Sequence, residues 1–550
     1  MRARINRIIE DAIEGAVADG SITVDKVPDI IVEVPKKEAF GDYSTNIAML
    51  VAPGAGRGPR DIAALLAERI SPDPLVARCE VAGPGFINIF LENSYWTTVL
   101  TDILAAGKDY GRGDLGRGEK VQVEFVSANP TGPLHIGHGR GAAVGDSLAN
   151  ILDAAGFDVT REFYINDVGR QMQTLGESVR VRCLQLRGED AKMPEDAYKG
   201  DYVEDIARDF LARYGDKAEA QSIPTHKDFA AAAMLERIRK DLADFGVEFD
   251  TWFRESGLYD DGSVEAAIDG LRKKGFVYER EGALWLKTSE LGDDKDRVLK
   301  KADGYTTYFA SDIAYHRNKV DRGFSRLVNV WGADHHGYEA RVRAGLKALG
   351  IDDSVLRIIF IQLVSLLRGG RPVAMGKRAG EFVTLRQVMD EVGADACRFF
   401  FLMRKADAQL DFDLELAKSQ APENPVYYVQ YCHARIRSIF DFAAEKGIEA
   451  PVEADAGVLA RIESGEEKVL IKFLGGFVEV VERAARDMEP HRVTFYLTEL
   501  AGLFHPYYNR NRVVTDDAEL TAARLLLCRA VKTVAANGLR LLGISAPEKM

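Results

Sequence analysis

Cysteine is scarce in this chain of 550 residues, with five in all: Cys79, Cys183, Cys397, Cys432 and Cys528. They are odd in number and far apart, and none forms a C-x-x-C pair that could nucleate a zinc site. Reduced thiols in a cytoplasm are the expectation. Long apolar runs are also missing, since no stretch of about 18 apolar residues occurs. The N-terminal MRARINRIIEDAIEGAVADG begins basic, but Glu10, Asp11 and Glu14 interrupt any apolar signal core. An untargeted, soluble chain with no membrane contact is expected. Basic charge is in deficit as well: 72 Lys and Arg stand against 85 Asp and Glu, a net charge of -13. That argues against a protein that coats nucleic acid non-specifically, because phosphate binding needs cations to neutralise the backbone. Any such contact must use local basic faces. Candidates are Arg317, Lys319 and Arg322, then Arg341, Arg343 and Lys347, and Arg368, Arg371, Lys377 and Arg378, although such clusters are more often plain solvated surface.

What is present is an ordinary globular composition, 46% hydrophobic and 29% charged, long enough for roughly three or four domains. No internal repeat or low-complexity segment stands out. Residues 1–110 read as an N-terminal α/β module: helix 2–18, strand 30–34, helix 61–70 and strand 86–91. The Gly-rich, charged stretch 107–120 suits a linker. VQVEFVSA then alternates as a strand, NPTGPLHIGHG turns, RGAAVGDSLANILDAAG has helical spacing, and DVTREFYI is a second strand. This is a βαβ unit, the seed of a Rossmann-type parallel sheet. Residues 172–290 read as a mainly helical insertion, and LVNVWGAD and LRIIFIQLV return to the sheet. From about residue 380 strands vanish from the pattern, and a C-terminal α-helical bundle is expected. The predicted architecture is α/β and multidomain: 1–110, a catalytic core 118–375, a loop region 376–420, and a bundle 421–550.

The chemistry concentrates at His135-Ile136-Gly137-His138, after a strand and opening onto a helix. There the helix N-terminus offers free N–H groups and a positive dipole end to a polyanion. Gly137 permits close approach, and two imidazoles can donate to phosphate oxygens. Taken alone, the H-x-x-H pattern also fits a metal pair or polar surface. A guanidinium pocket can be argued separately, because a planar fork of donors needs carboxylates. Glu124 lies on the first strand, and Asp312 sits four residues after Tyr308, on one face of a predicted helix.

ANPTGPLHIGHGR resembles the HIGH signature of class I aminoacyl-tRNA synthetases, and with ANPTGPL in front it is similar to the arginyl family. Ala374-Met375-Gly376-Lys377-Arg378 stands where that class carries a K-M-S-K-S loop, with Ala for the first Lys and Gly for the Ser. The resemblance puts Met375 and Lys377 on the ATP side, with Lys377 neutralising β- and γ-phosphates beside His135 and His138. It gives Ser127 and Asn129 to the amino and carboxylate groups of L-arginine, and Glu124, Tyr308 and Asp312 to its side chain. Gln171 would line the amino-acid pocket. Gln362 would line the adenine site, and Asp334 with His335 or His336 would contact adenosine or ribose, where a satisfied core histidine is the other reading. PKKEAFGDYSTNIAM, holding Phe40 and Asn46, is similar to the family's block for the tRNA elbow. GADACRFFFL is similar to its D-A-L-R block, with Cys397 for Leu. The segment from ENPVYYVQYCHARI onward is similar to its anticodon-binding bundle, where Tyr427, Tyr428, Tyr431, Tyr507 and Tyr508 are candidates to stack on bases unless they serve as core. The resemblance implies an arginine-tRNA ligase that uses ATP with Mg²⁺, has no tightly bound metal or organic cofactor, takes tRNA(Arg) as partner and works as a monomer. A catalytically silent paralogue that binds tRNA or a partner protein is the alternative, favoured only by the altered loop 374–378.

Overall fold

The computed structural model describes residues 2–24, 26–33, 35, 38–373, 383–451 and 454–550. At its centre five parallel strands run in the order β5-β4-β1-β2-β3, where β1 is Lys120–Glu124, β2 Asp158–Ile165, β3 Thr251–Arg254, β4 Arg326–Gly332 and β5 Leu356–Ile361. The chain leaves β1 toward β2 on one side and later returns to β4 on the other. The carboxyl ends of β1 and β4 therefore flank the switch point at which doubly wound sheets bind ligands.

Buried strands need apolar or internally satisfied residues, and these strands have both. Val121, Val123 and Phe163 are fully buried, and the buried Gln122 and Glu162 bond to each other at 2.7 Å. Strand β3 falls inside the segment expected to be an insertion. With four residues, TWFR, it is too short for its alternation to be distinguished from the flanking helices.

The first helix of the core, α1 (Ile136–Ala154), is buried along nearly its whole length, which its glycines and alanines allow. Gly145 is required by packing, because a Cβ there would lie 2.2 Å from the Phe125 ring. Two buried charges on this helix are answered from far away. Arg140 donates to the carbonyls of Gln362, Lys405 and Ala408, each at 2.8 Å. Asp146 accepts from Arg398 at 2.5 Å, and Arg398 also donates to the carbonyls of Leu542 (2.8 Å) and Phe245 (3.2 Å).

The N-terminal module is a four-stranded antiparallel sheet carrying the helices Arg2–Ala18, Ile47–Ala55 and Pro59–Ile70. Val32–Glu33, within the strand expected over 30–34, is one of its strands, Phe86–Leu91 is the expected second, and Tyr43–Thr45 and Val76–Ala82 complete the sheet. The helical bundle is built on α3 (Pro425–Glu445), α4 (His491–Arg510) and α5 (Ala518–Leu541). Among the described residues one strand does occur beyond residue 380: Leu410–Asp413 pairs in parallel with Val364–Arg368, 46 positions earlier in register.

The basic clusters are mostly neutralised. Lys319 is fully buried, Arg322 pairs with Glu162, Arg343 and Lys347 reach Asp353, and Arg368 joins Glu391 and Glu415. Lys377 and Arg378 lie outside the described residues.

Arg398→Ala removes a buried guanidinium from a buried carboxylate and from the carbonyls of two further segments at once. The expected cost is about 3–5 kcal/mol, read as a lower urea midpoint.

Candidate active site

Strand β1 ends in a tight reversal. Ser127 N–H donates to Phe125 O at 2.9 Å, and Val126 and Ser127 take φ of 66° and 40°. A β-branched residue at positive φ is strained by about 1–3 kcal/mol and persists only where its surroundings hold it. The turn seats Ser127 so that its hydroxyl donates to Glu124 at 3.0 Å and accepts from Tyr164 N–H at 3.1 Å.

His135 is the N-cap of α1. Its Nδ1 accepts from the N–H groups of Gly137 (3.0 Å) and His138 (3.3 Å), while His138 Nδ1 accepts from His135 N–H at 3.3 Å. The two rings stack with centroids 3.6 Å apart. The expectation of free N–H groups at this helix end is therefore corrected. Those of residues 137 and 138 go to His135, that of Gly139 to His135 O, and that of Ile136 to Val383 O. Because each Nδ1 is an acceptor, each neutral ring carries its proton on Nε2. Burial lowers the His135 pKa and pushes that of His138 down to about 3, so both rings are neutral donors at pH 7. Gly137 makes room for the His135 ring, to which a Cβ would stand at 2.9 Å.

Glu124 is buried, and its other oxygen meets Lys319 Nζ at 2.5 Å. Lys319 also donates to Asn329 Oδ1 (3.0 Å), Asn329 Nδ2 lies 2.9 Å from His316 Nε2, and His316 Nδ1 lies 2.8 Å from Asp312 O. One proton arrangement satisfies this chain, with His316 donating from Nδ1 and accepting at Nε2. Burial accordingly pushes the His316 pKa down to about 3.

Asp312 and Tyr308 share the helix α2 (Tyr308–Asp321), with Tyr308 54% exposed at its start. Asp312 accepts from the Tyr338 hydroxyl, and burial raises its carboxyl to about 7. Glu255, missed by the sequence reading, is buried and is the third carboxylate of this group. Burial raises its pKa too, and the Ser311 hydroxyl donates to it at 2.7 Å. Glu255 follows directly on β3, at a carboxyl strand end, but with β3 itself illegible in the sequence no signal there pointed to it. Tyr164 lies among all three, its phenol acidity suppressed first by burial and then by Glu255, Asp312 and Glu124. Across the mouth Asn129 Nδ2 donates to Gln171 Oε1 at 2.7 Å, and Tyr308 Oη lies against Gly169.

On the other side of the switch point, Asp334 and His335 are exposed on the turn Ala333–Tyr338 after β4, 3.1 Å apart, and Asp334 acts electrostatically on His135. His336 stacks on Phe360 at 3.7 Å. Gln362 follows β5 with its backbone fastened to Arg140 and Ala406. Met375 and Lys377 lie outside the described residues, but the chain re-enters at Val383 and Thr384, against Ile136 and His135.

The candidates for RNA contact form two separate sets. Phe40 is 47% exposed in the N-terminal module, whereas Asn46 buries Oδ1 without a partner. In the bundle Tyr427 stacks on Tyr431 (5.7 Å), and Arg435 lies over both Tyr431 and Tyr508 at 4.6 and 5.0 Å. Tyr431, Arg435 and Tyr508 line a groove of about 780 Å³. Tyr507 is core, buried with its hydroxyl on Glu467, and Tyr428 packs on His505.

Ring ¹⁵N shifts of histidine-labelled protein should show His138 as the neutral Nε2–H tautomer at about pH 6. A doubly protonated ring there would contradict the cap geometry.

Comparison with known proteins gives the same picture along the whole chain. The description "Arginyl tRNA synthetase N terminal domain" matches residues 3–91, "tRNA synthetases class I (R), catalytic domain" residues 99–407, and "DALR anticodon binding domain" residues 429–550. The arginine-tRNA ligase of Citrifermentans bemidjiense is 52% identical over 556 residues, covering 100% of both chains. That of Geobacillus kaustophilus is 49% identical over 547 residues, covering 98% of each. The solved arginyl-tRNA synthetase of Thermus thermophilus superposes with a TM-score of 0.75 at 25% identity, covering 99% of this chain and 100% of its own. With its signature histidines capping the first helix of a parallel core and three family domains in sequence, the chain belongs to the arginyl-tRNA synthetases of class I.

Proposed function

We propose that this chain activates L-arginine with ATP and transfers it to the 3′-terminal adenosine of tRNA(Arg), with the roles below. The observation that carries the site assignment is the grouping of three carboxylates, the buried Glu124 and Glu255 and the half-buried Asp312, with one buried cation, Lys319, in a core whose first helix is capped by neutral imidazoles. Such a pocket has an excess of negative charge and suits a guanidinium, whose planar fork pairs with carboxylates.

Asp312, Glu255 and Tyr308 hold the arginine side chain, with Glu124 completing the acidic wall while tied to Lys319. Ser127, Asn129 and Gln171 orient the α-amino and carboxylate groups. The carboxylate oxygen then attacks the α-phosphorus of ATP, forming the mixed anhydride as the bond to the bridging oxygen of the β-phosphate breaks and pyrophosphate leaves. The Nε2–H donors of His135 and His138 face the charge that develops, and Lys377 supports the leaving phosphates. Gln362, Met375, Asp334 and His335 hold the nucleotide. Mg²⁺ would arrive with ATP, needing few protein ligands, and would supply charge neutralisation of the phosphates. In the second step the ribose 2′-OH, by analogy with class I enzymes, attacks the arginyl carbonyl and AMP leaves. No covalent enzyme intermediate is needed, so catalysis is positioning and electrostatics.

The N-terminal module, through Phe40 and Asn46, holds the elbow of the tRNA, and the bundle, through Tyr427, Tyr431 and Tyr508, holds its anticodon. Arg435 joins the second set, because a guanidinium already lying on two tyrosine rings extends a stacking face for unpaired bases. The assignment includes a monomer acting in the cytoplasm. No described helix is long and apolar enough to cross a membrane.

ATP–pyrophosphate exchange, run with each amino acid and with or without total tRNA, should occur with arginine alone. Lys377→Ala should lower kcat about 10²–10³-fold with a small change in arginine KM. Exchange with no amino acid despite tight tRNA binding would instead indicate a silent paralogue.

A further inference from the structure

We infer that Tyr338 is a positioning residue for arginine recognition, its hydroxyl holding one oxygen of Asp312 so that the other is presented to the guanidinium. The inference rests on the reading of Asp312 as a side-chain carboxylate of the arginine pocket. Tyr338 closes the turn Ala333–Tyr338 after β4, and its hydroxyl crosses to Asp312 Oδ2 on α2. Asp312 Oδ1 has no hydrogen-bond partner among the described residues. The Tyr338 ring has little freedom. It packs against two apolar clusters, one including Ile313 and Ala314, the other Val342 and Leu346. Trp331 lies 6.1 Å from it and the Arg341 guanidinium 5.4 Å over its face.

The electrostatic setting explains why a neutral donor belongs at this place. Asp312 is faced by Glu255 from the helix Glu255–Asp260 and by Glu124 from β1, and both favour its protonation. Lys319, on its own helix, opposes them but is already committed to Glu124 and Asn329. Tyr164 on β2 lies alongside. Burial leaves Asp312 close to half-ionised at neutral pH, and the Tyr338 hydroxyl is the hydrogen bond that favours the charged form. A second lysine here would cancel charge that the substrate must meet, whereas a phenol stabilises the carboxylate and leaves its charge in place.

The test is Tyr338→Phe, which keeps the ring and its packing, assayed by ATP–pyrophosphate exchange with tRNA present from about pH 6 to 9. The expected result is an arginine KM raised about 10- to 100-fold, the range for losing a hydrogen bond to a charged group. The kcat at saturating arginine and the ATP KM should stay within about twofold. The acid limb of kcat/KM for arginine should move to higher pH, because the lost donor had favoured the ionised carboxylate. An unchanged arginine KM would overturn the inference. So would a raised KM with an unmoved acid limb, or a parallel rise in the ATP KM, each of which marks lost packing of the turn. Asp312→Asn, run alongside, separates the two levels. If it leaves the arginine KM unchanged, the reading of Asp312 falls and the inference with it; if it raises the KM while Tyr338→Phe does not, only the inference fails.

Discussion

A guanidinium shut away from water must direct its donors at protein oxygens, and Arg398 does this by joining three parts of the chain. It meets Asp146 on α1, the carbonyl of Phe245 after the long helix Ile223–Asp244, and the carbonyl of Leu542 at the end of α5. The approach is close enough that Gly543, at φ 65°, has no room for a Cβ, which would lie 2.2 Å from Nη2. Removing either partner would strand a charge in a low-dielectric interior, so the catalytic helix and the bundle have one low-energy relation to each other. Arg140 does the same toward the other face of the core, fastening α1 to the carbonyls around Gln362 and Ala408. A helix fixed along its length in this way delivers its first turn to a fixed place, the carboxyl end of β1.

What that first turn offers is set by proton bookkeeping. Had the helix N–H groups been free, phosphate would meet backbone donors and a dipole end. Here the His135 ring takes two of them, and the donors that remain are ring N–H groups held by stacking. Neutral imidazoles suit this position because a fixed cation would bind ground-state phosphate tightly, whereas a neutral donor gains most as charge builds. The opposite choice is made around Glu124, Asp312 and Glu255. There the carboxylates are kept close together, Lys319 offsets only one of them, and burial raises Asp312 and Glu255 toward protonation. The cost of that crowding is relieved when a cation enters, which converts stored electrostatic strain into selectivity.

The same logic separates tyrosines that stack on one another at a surface from those that fill the bundle. Tyr427, Tyr431 and Tyr508 share a face with Arg435, while Tyr507, one residue away from Tyr508, points inward to Glu467. Adjacent residues on a helix point about 100° apart, so a pair of tyrosines at the end of α4 serves core and surface at once.

The parallel core, the helical bundle and the signature histidines were legible in the sequence, and Glu124 and Asp312 could be picked out there as candidate carboxylates. These follow from local pattern: an alternating strand, a Pro- and Gly-rich turn, helical periodicity and a recognisable motif. Strand β3 and Leu410–Asp413 were not legible, because four residues carry too little alternation to declare a strand that only distant neighbours stabilise. Lys319 and Arg322 read as surface charge beside Arg317, yet their partners Glu124 and Glu162 lie 195 and 160 residues away in the chain. Glu255 carried no motif, and the closure of the helix N-terminus by His135 depended on ring orientation. These features came from long-range packing, because whether a charge is buried, paired or presented depends on which distant segment covers it.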